Sequence, residues 1–171
     1  YDSEDVKLIE TNEGTQVYLK HLFRSETGIA ARIKAMLSMP EPACSLTKEE
    51  ILDKVLSRLA VKLSDEQLDV VHRVLEEKIV IITGGPGTGK TTLIRSLCEI
   101  YKLQNQKVVL AAPTGRAARR LSQVTGRKAS TLHKLLGFDH ENQSFERHFG
   151  NPLELDIFIV DEASMVDTLL M

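Results

Sequence analysis

A chain of 171 residues, 42% of them apolar, is long enough to bury a hydrophobic core as one domain with or without an appendage. Its formal net charge of −2 shows no overall bias toward either sign, and it lacks the run of roughly 18 apolar residues that a transmembrane helix needs. The two cysteines, Cys44 and Cys98, lie far apart without a CxxC partner, which favours free thiols in a reducing compartment over a disulfide or a zinc site.

The two ends of the sequence indicate a longer parent protein. The chain begins at Tyr1 without an initiator methionine or a signal-peptide pattern. It ends at Met171 after DTLL, a run that is typical of a helix in progress. We therefore expect a fragment of an intracellular, cytoplasmic protein that has no membrane partner.

Residues 1–62 are predicted to form a small, mainly helical segment. The stretch QVYLKHLFRSETGIAARIKAMLSM starts with a short strand-like run and then places apolar residues at helical spacing, until PEPACS interrupts the pattern. Thr47 and Glu50 match a capping box at the start of a second helix. The predicted domain boundary lies near Lys62.

Residues 63–171 are predicted to form an α/β fold. Ser64 and Gln67 match a capping box at the start of this part. The elements expected after it are a strand at 79–83, a helix at 89–103, a strand at 107–112, a helix at 115–123, a short helix at about 131–136, a polar stretch at 139–150 and a strand at 157–160. This alternation indicates a parallel sheet with right-handed crossovers and covered faces.

A glycine-rich loop lies in IVIITGGPGTGKTT, residues 79–92. Its G-x-x-x-x-G-K-[ST] pattern falls between a predicted strand and a predicted helix, where loop N–H groups and the helix N-terminus can hold phosphates. We expect Lys90 to act as a catalytic residue that neutralises the β and γ phosphates, and Thr91 to ligate Mg²⁺. A chance match in a glycine-rich turn is the alternative. The predicted nucleotide-binding residues of the loop are Gly84, Gly85, Pro86, Gly87, Thr88, Gly89, Lys90, Thr91 and Thr92.

An acid pair follows the last predicted strand, in DIFIVDEAS. Residues 157–160 form an apolar run, and Asp161 and Glu162 emerge at its C-terminal end, where open α/β sheets bind ligands. We expect Asp161 to hold Mg²⁺, partly through water, and Glu162 to orient and deprotonate an attacking water, which indicates hydrolysis. The alternative is an acid pair that caps the following helix.

The sequence has no acidic residue between Glu99 and Asp139. The basic residues in this stretch are Lys102, Lys107, Arg116, Arg119, Arg120, Arg127, Lys128 and Lys134. An acid-free basic stretch beside a phosphate loop is typical of a polyanion-binding surface. A solvated helix face that is paired with acids elsewhere in the fold explains the stretch equally well.

Five motifs together resemble the RecD/TraA-type helicases of superfamily 1. LSDEQ, GGPGTGKTT, AAPTGRAARRL, STLH and IVDEASMVD occur in the order and spacing of that family, from about Leu63 to Met171, and VYLKHLFRSETGIAARI is similar to the segment before the motor. The resemblance implies a RecA-like P-loop fold, ATP and Mg²⁺ as cofactors, and an ATP-dependent helicase that moves 5′ to 3′ on single-stranded DNA. It leaves a nuclease or recombination subunit open as a further partner.

The resemblance also implies roles for single residues. Gln67 matches the glutamine that contacts adenine, although it is also the capping-box partner of Ser64. PTGR, residues 113–116, matches a strand-to-helix motif that holds the DNA backbone, and STLH matches a further DNA-side motif. A structural hydrogen bond is an open alternative for His133. The DNA-binding residues implied are Pro113, Thr114, Gly115, Arg116, Thr131 and His133.

The sequence departs from a complete motor of this family. Such a motor has a second RecA-like domain with an arginine finger and a sensor motif after the DEAS strand, and neither is present. In the family fold, the strand between the phosphate-loop strand and the DEAS strand comes later in sequence than DEAS. We therefore expect residues 63–171 to be an incomplete RecA-like domain, truncated after the Walker B motif and unable to unwind DNA by itself. Two other classes stay open, a DNA-independent P-loop ATPase of clamp-loader or chaperone type and a nucleotide-binding switch module.

Overall fold

The computed structural model describes residues 5–40, 49–50, 53, 57, 63–85 and 87–171. They belong to two compact units, one formed by residues 1–40 with 166–171 and one by residues 41–165. The predicted capping box at Thr47, the boundary near Lys62 and the thiol of Cys44 lie outside the described residues, so the boundary stays a prediction. Within the described ranges, no helix combines the length and the apolar character needed to cross a membrane.

The first unit is built from a β-hairpin and a long helix. Strands β1, Val6–Thr11, and β2, Gly14–Leu19, pair antiparallel, and helix α1 follows directly as Lys20–Ser38. The rings of Tyr18 and Phe23 pack edge to face with centroids 5.4 Å apart, which fixes the hairpin on the helix. The strand-like run and the helix were both predicted, whereas β1 was not, because VKLIET alternates too weakly to indicate a strand.

The second unit contains the parallel sheet that the alternation predicts. Strands β3, Val108–Ala112, β4, Ala129–Thr131, and β7, Ile157–Val160, form a parallel sheet in the order β4–β3–β7. The α-helices of this unit between residues 63 and 165, apart from the undescribed residue 86, are α2, Asp65–Glu76, α3, Lys90–Leu103, α4, Gly115–Thr125, and α5, Leu132–Leu136. The α/β fold class is confirmed.

The polar stretch 139–150 contains structure that the sequence did not predict. Strands β5, Phe138–Asp139, and β6, Ser144–Phe145, form a small antiparallel hairpin. Strands of two residues are too short to show an alternating pattern. The same reason explains why the three-residue strand β4 was not predicted.

The predicted strand at 79–83 is wrong for this structure. These residues form no strand; Ile81 is 86% exposed, and Ile82 packs against the core. A strand needs a neighbour that pairs with its backbone N–H and C=O groups. Among the described residues the sheet ends at β7 on this side, and no strand follows β7 in sequence. The apolar run before the phosphate loop therefore has no strand to pair with.

Helix α3 is the centre of the core. One of its sides packs with α2 and the sheet through Val71, Leu97 and Ile100, each at most 2% exposed. Another side contacts β3 and α4 through Cys98, which is a free, buried thiol whose pKa is raised by burial. The Tyr101 hydroxyl donates to the Val74 carbonyl at 3.1 Å and ties α3 to α2. These contacts fix the position of α3, the helix that begins at the phosphate loop, within the core.

Candidate functional site

The ends of three parallel strands bring three groups of predicted site residues to one edge of the sheet. In the register, Ala112 is opposite Thr131, and Ala111 is opposite Val160. The segment from Pro113, the predicted DNA contact Thr131 and the acid pair after Val160 therefore lie at the carboxyl ends of neighbouring strands. Ligands bind at this edge in open α/β sheets.

The backbone of the phosphate loop depends on its glycines. Gly87 and Gly89 have φ values of +79° and +77°, in the left-handed region that glycine adopts without strain. A Cβ on Gly84 would lie 2.8 Å from the Thr88 hydroxyl oxygen, and a Cβ on Gly89 would collide with the Gln67 side chain. A side chain at Gly84 would therefore displace Thr88, and one at Gly89 would displace the Gln67 amide and force a strained backbone. Pro86 lies outside the described residues.

The Lys90 side chain is positioned by the loop that precedes it. Its ammonium donates to the carbonyl oxygens of Gly84 and Gly85, the latter at 2.6 Å. In the described part of the chain it has no carboxylate partner within salt-bridge distance. Neutral carbonyls orient the ammonium without cancelling its charge, so the charge remains to attract an anion.

The two threonines after Lys90 lie in the first turn of α3. Both are half-buried, and Leu93 N–H donates to the Gly89 carbonyl as the first helical bond, at 3.0 Å. The Thr92 carbonyl accepts a bond from the Ser96 hydroxyl at 3.1 Å. The Thr91 hydroxyl has no hydrogen-bond partner among the described residues. Its oxygen is therefore available to a metal ion, as the loop pattern predicts.

The acid pair leaves the sheet through a strained turn. Asp161 N–H donates to the Ala111 carbonyl at 3.0 Å, so the β3–β7 ladder extends to this residue. Glu162 N–H donates to the Asp161 carboxylate at 3.0 Å, and Glu162 has a φ of +54°. Non-glycine residues rarely have a positive φ, and those that do are concentrated at functional sites. A 3-10 turn, Ala163–Met165, follows the pair directly.

Gln67 connects helix α2 to the phosphate loop. Its side-chain oxygen accepts from Ser64 N–H at 3.1 Å, and its backbone N–H donates to the Ser64 hydroxyl at 3.3 Å, which is the predicted capping box. Its side-chain amide also donates to the Thr88 carbonyl at 3.2 Å. One acceptor site and one hydrogen of the amide are therefore in use, and its second hydrogen and second lone pair remain for a contact with adenine.

The two threonines predicted to bind DNA cap helices. The Thr114 hydroxyl accepts from Ala117 N–H at the start of α4, and the Thr131 hydroxyl accepts from Lys134 N–H at the start of α5, each at 3.2 Å. A hydroxyl can accept and donate at the same time, so each threonine can keep its cap and still donate its hydrogen to an oxygen of a ligand. The predicted DNA contact is therefore compatible with the observed caps.

Helix α4 exposes its arginines. Ala117, Ala118 and Leu121 are buried on one face, while the remaining faces expose Arg116, Arg119 and Arg120. None of these three arginines pairs with an acid of the described chain. The alternative of a helix face neutralised by acids elsewhere in the fold finds no support at these positions.

Arg127 belongs to the structural part of the basic stretch. Its guanidinium donates to Glu99 at 3.0 Å and to the Cys98 carbonyl at 3.2 Å, and it is 27% exposed. It joins the end of α4 to α3. The basic stretch therefore divides into exposed arginines on α4 and a guanidinium that stabilises the fold.

His133 lies on α5 close to the hairpin. Its ring is exposed but packs edge to face on Phe138, with centroids 5.3 Å apart. The imidazole makes no hydrogen bond to a described residue, so the structural hydrogen bond considered from the sequence is not found.

Known proteins are similar in sequence to this chain. The family model described as an AAA domain matches residues 67–171. The ATP-dependent RecD2 DNA helicase of Deinococcus radiodurans is 41% identical over 162 residues, which cover 94% of this chain and 22% of that protein. The RecBCD enzyme subunit RecD of Mycolicibacterium smegmatis is 36% identical over 140 residues, 68% of this chain and 25% of that protein. The chain thus spans a quarter or less of the length of these two relatives.

The comparisons confirm the resemblance inferred from the five motifs. The family match begins at Gln67 and includes the phosphate loop, the exposed arginines and the acid pair. Its extent is well over half of the chain. The chain therefore belongs to the AAA domain family and, within it, is related to the RecD-type helicases.

Proposed function

We propose that this chain is the first part of the motor of an ATP-dependent DNA helicase that moves 5′ to 3′ on single-stranded DNA. One observation carries the proposal: a single sheet edge holds the acid pair after β7, the PTGR segment after β3 and Thr131 at the end of β4. The acids proposed for the nucleotide and the residues proposed for DNA therefore follow neighbouring strands, at the edge where open α/β sheets bind ligands. The related helicases support this assignment over the two other function classes.

ATP and Mg²⁺ are the cofactors that we propose for this site. The side-chain-free path of the loop at Gly84 and Gly89 fits a triphosphate held by backbone N–H groups. The described residues contain no cluster of three metal-binding side chains, which agrees with Mg²⁺ held by few protein ligands. Thr91 and Asp161 would hold the ion, which would supply neutralisation of the phosphate charge.

The residues of the site divide the chemical work. Lys90 would leave its loop carbonyls to bind the β and γ phosphates, because a charge-assisted bond to phosphate is stronger than a bond to a neutral carbonyl. Glu162 would accept a proton from the attacking water at its carboxylate. Gln67 would contact adenine with the amide hydrogen and the lone pair that its bonds to Thr88 and Ser64 leave free.

The DNA would bind along the exposed face of α4 and the two capping threonines. Arg116 and its neighbours offer charges to phosphates, while Thr114 and Thr131 donate hydroxyl hydrogens. Such contacts read no base edges, so binding is indifferent to sequence. We place the protein in the cytoplasm. The names of the RecD relatives, subunits of the RecBCD enzyme, support further recombination or nuclease subunits as partners.

The ATPase rate of the full-length protein with and without single-stranded DNA tests the proposal. We expect a low basal rate and a strong increase on addition of DNA of any sequence. Turnover that ignores DNA would favour the clamp-loader or chaperone class. Nucleotide binding without turnover would favour the switch module.

A further inference from the structure

The hairpin β5–β6 is too small to be stable alone. Each strand has two residues, and Phe138 is opposite Phe145 in the register. The Asp139 carboxylate closes the turn by accepting from Glu141 N–H at 2.8 Å and from the Asn142 side chain at 2.6 Å. Isolated two-stranded hairpins are marginal in water, so contacts with the rest of the fold must hold this one.

Helix α5 is also short, and its stability depends on the hairpin. Five residues are far fewer than an isolated helix needs. Its C-terminal end is bonded to the returning strand, because Glu146 N–H donates to the Gly137 carbonyl at 3.0 Å and Arg147 N–H to the Leu136 carbonyl at 2.9 Å. A Cβ on Gly137, whose φ is +65°, would lie 2.8 Å from the Glu146 Cβ. The helix end and the hairpin are therefore in direct contact.

Four rings complete this junction. Phe138 contacts Phe145 with centroids 4.9 Å apart and His140 at 5.0 Å. His133 packs on Phe138 at 5.3 Å and on Phe145 at 6.1 Å. In the described chain, His133 is the member of this ring cluster that belongs to the helix, whereas the other three belong to the hairpin and its turn.

We propose that His133 is a positioning residue: its ring fastens α5 to the hairpin and so keeps the helix, with its capping Thr131, in place for DNA. The inference rests on the proposed function. The STLH resemblance implies that His133 contacts DNA directly, whereas we propose that its ring packs on the rings of the hairpin. The two roles need different chemistry, since packing needs an aromatic ring and a phosphate contact needs an N–H donor.

Two substitutions at one position separate these roles. His133→Phe keeps a ring and removes both nitrogens, whereas His133→Asn keeps a polar donor and removes the ring. The measurements are the single-stranded DNA concentration for half-maximal ATPase stimulation of the full-length protein and hydrogen exchange of the amides at 138–145. We expect His133→Asn to raise the half-saturating DNA concentration about 3- to 10-fold, because the loss of one aromatic pair corresponds to that change in affinity. Hydrogen exchange of the hairpin amides should also become faster. We expect His133→Phe to match the unmodified protein in both.

Phe145→Ala is the independent variant. Phe145 lies in the hairpin and matches no DNA motif, yet we expect Phe145→Ala to reproduce the effect of His133→Asn. The double variant with both substitutions should show little further effect, because the two rings contact each other. Basal ATPase should stay unchanged in Phe145→Ala. If His133→Phe responds to DNA as weakly as His133→Asn while the hairpin amides keep their protection from exchange, His133 is a DNA ligand and the inference is overturned. Unchanged DNA response in every variant would overturn it too. A full-length protein that DNA does not stimulate would contradict the proposed function, while hydrogen exchange would still test the junction.

Discussion

Gln67 illustrates how one side chain serves two neighbours. The sequence indicated both a capping box and an adenine contact, and the structure contains the capping box. The bond from its amide to the Thr88 carbonyl spans 21 residues, so no local pattern predicts it. Lys90, by contrast, was singled out by a local pattern, because its loop and its helix are continuous in sequence.

Loss of the Lys90 ammonium should remove turnover without unfolding the protein. Lys90→Ala in the full-length protein is expected to reduce ATP hydrolysis to near background, since the phosphate charge then lacks its neutralising group. The side chain bonds only to loop carbonyls among the described residues, so the melting temperature should stay within a few degrees. Steady-state hydrolysis and thermal unfolding measure the two effects. Turnover close to that of the unmodified protein would exclude the phosphate-clamp role.

Glu162→Gln provides the contrasting variant. It keeps the size and the turn of the native residue but cannot accept a proton from water. We expect ATP and Mg²⁺ to bind with unchanged affinity and the chemical step to be lost. Loss of nucleotide binding in this variant would show that Glu162 has a structural role instead.

Gln67→Ala should weaken the binding of tripolyphosphate as well as that of ATP. The amide holds the Thr88 carbonyl and lies against Gly89, so its removal loosens the loop that binds phosphates. Removal of one such bond corresponds to a factor of about 5 in affinity. Titrations with tripolyphosphate and with ATP measure this, and Ser64→Ala, which removes only the helix cap, is the matched control. If ATP alone binds more weakly, Gln67 acts on adenine and leaves the loop unaffected.

The basic stretch combines exposed arginines on helix α4 with Arg127, which follows the end of that helix. The sequence places Arg127 outside the PTGR motif but does not show its ion pair. The exposed arginines and the buried alanines follow helical periodicity, which the sequence does show. The ion pair of Arg127 with Glu99 joins two helices 28 residues apart in sequence, and only the fold reveals it. Charge counts along a chain therefore overestimate the surface that is available to DNA.

Arg116→Ala and Arg127→Ala should consequently fail in different ways. Arg116→Ala is expected to weaken binding of single-stranded DNA and to flatten the slope of log affinity against log salt by about 0.7, because one phosphate contact is lost. Arg127→Ala should leave that slope unchanged and lower the free energy of unfolding by about 1 kcal/mol, since it breaks a partly exposed ion pair and a bond to the Cys98 carbonyl. Salt titrations and denaturant unfolding provide the data. Equal small effects with an unchanged slope would reduce the basic stretch to a solvated face.

The junction of α2 and α3 should make the protein sensitive to alkali. Burial raises the pKa of Tyr101 from 10.0 to about 12. Between these values the unfolded chain releases the proton while the folded chain keeps it, so the free energy of unfolding falls as the pH rises from 10 toward 12. Tyr101→Phe should lose about 1 kcal/mol at neutral pH with its bond to Val74, and its stability should decline less above pH 10. A decline as steep as that of the native protein would assign the effect to other groups.

Across the whole molecule, the sequence predicts those elements whose formation depends on neighbouring residues in the chain. The helices and the strands at 107–112 and 157–160 were predicted within about two residues, because capping residues, glycines and apolar runs mark them. The segment at 79–83 has the same apolar character as β7 but forms no strand, since pairing depends on a neighbour and not on composition. The hairpins were missed because their strands are short or alternate weakly.

The exposed Ile81 has a consequence for association between chains. Strand β7 has one neighbour, β3, among the described residues, and residues 79–83 form no strand there, although Ile82 packs against the core. Open sheet edges and exposed apolar side chains are the parts of a molecule most prone to pair with another chain. During folding, this edge is therefore the part that a chaperone has most reason to guard.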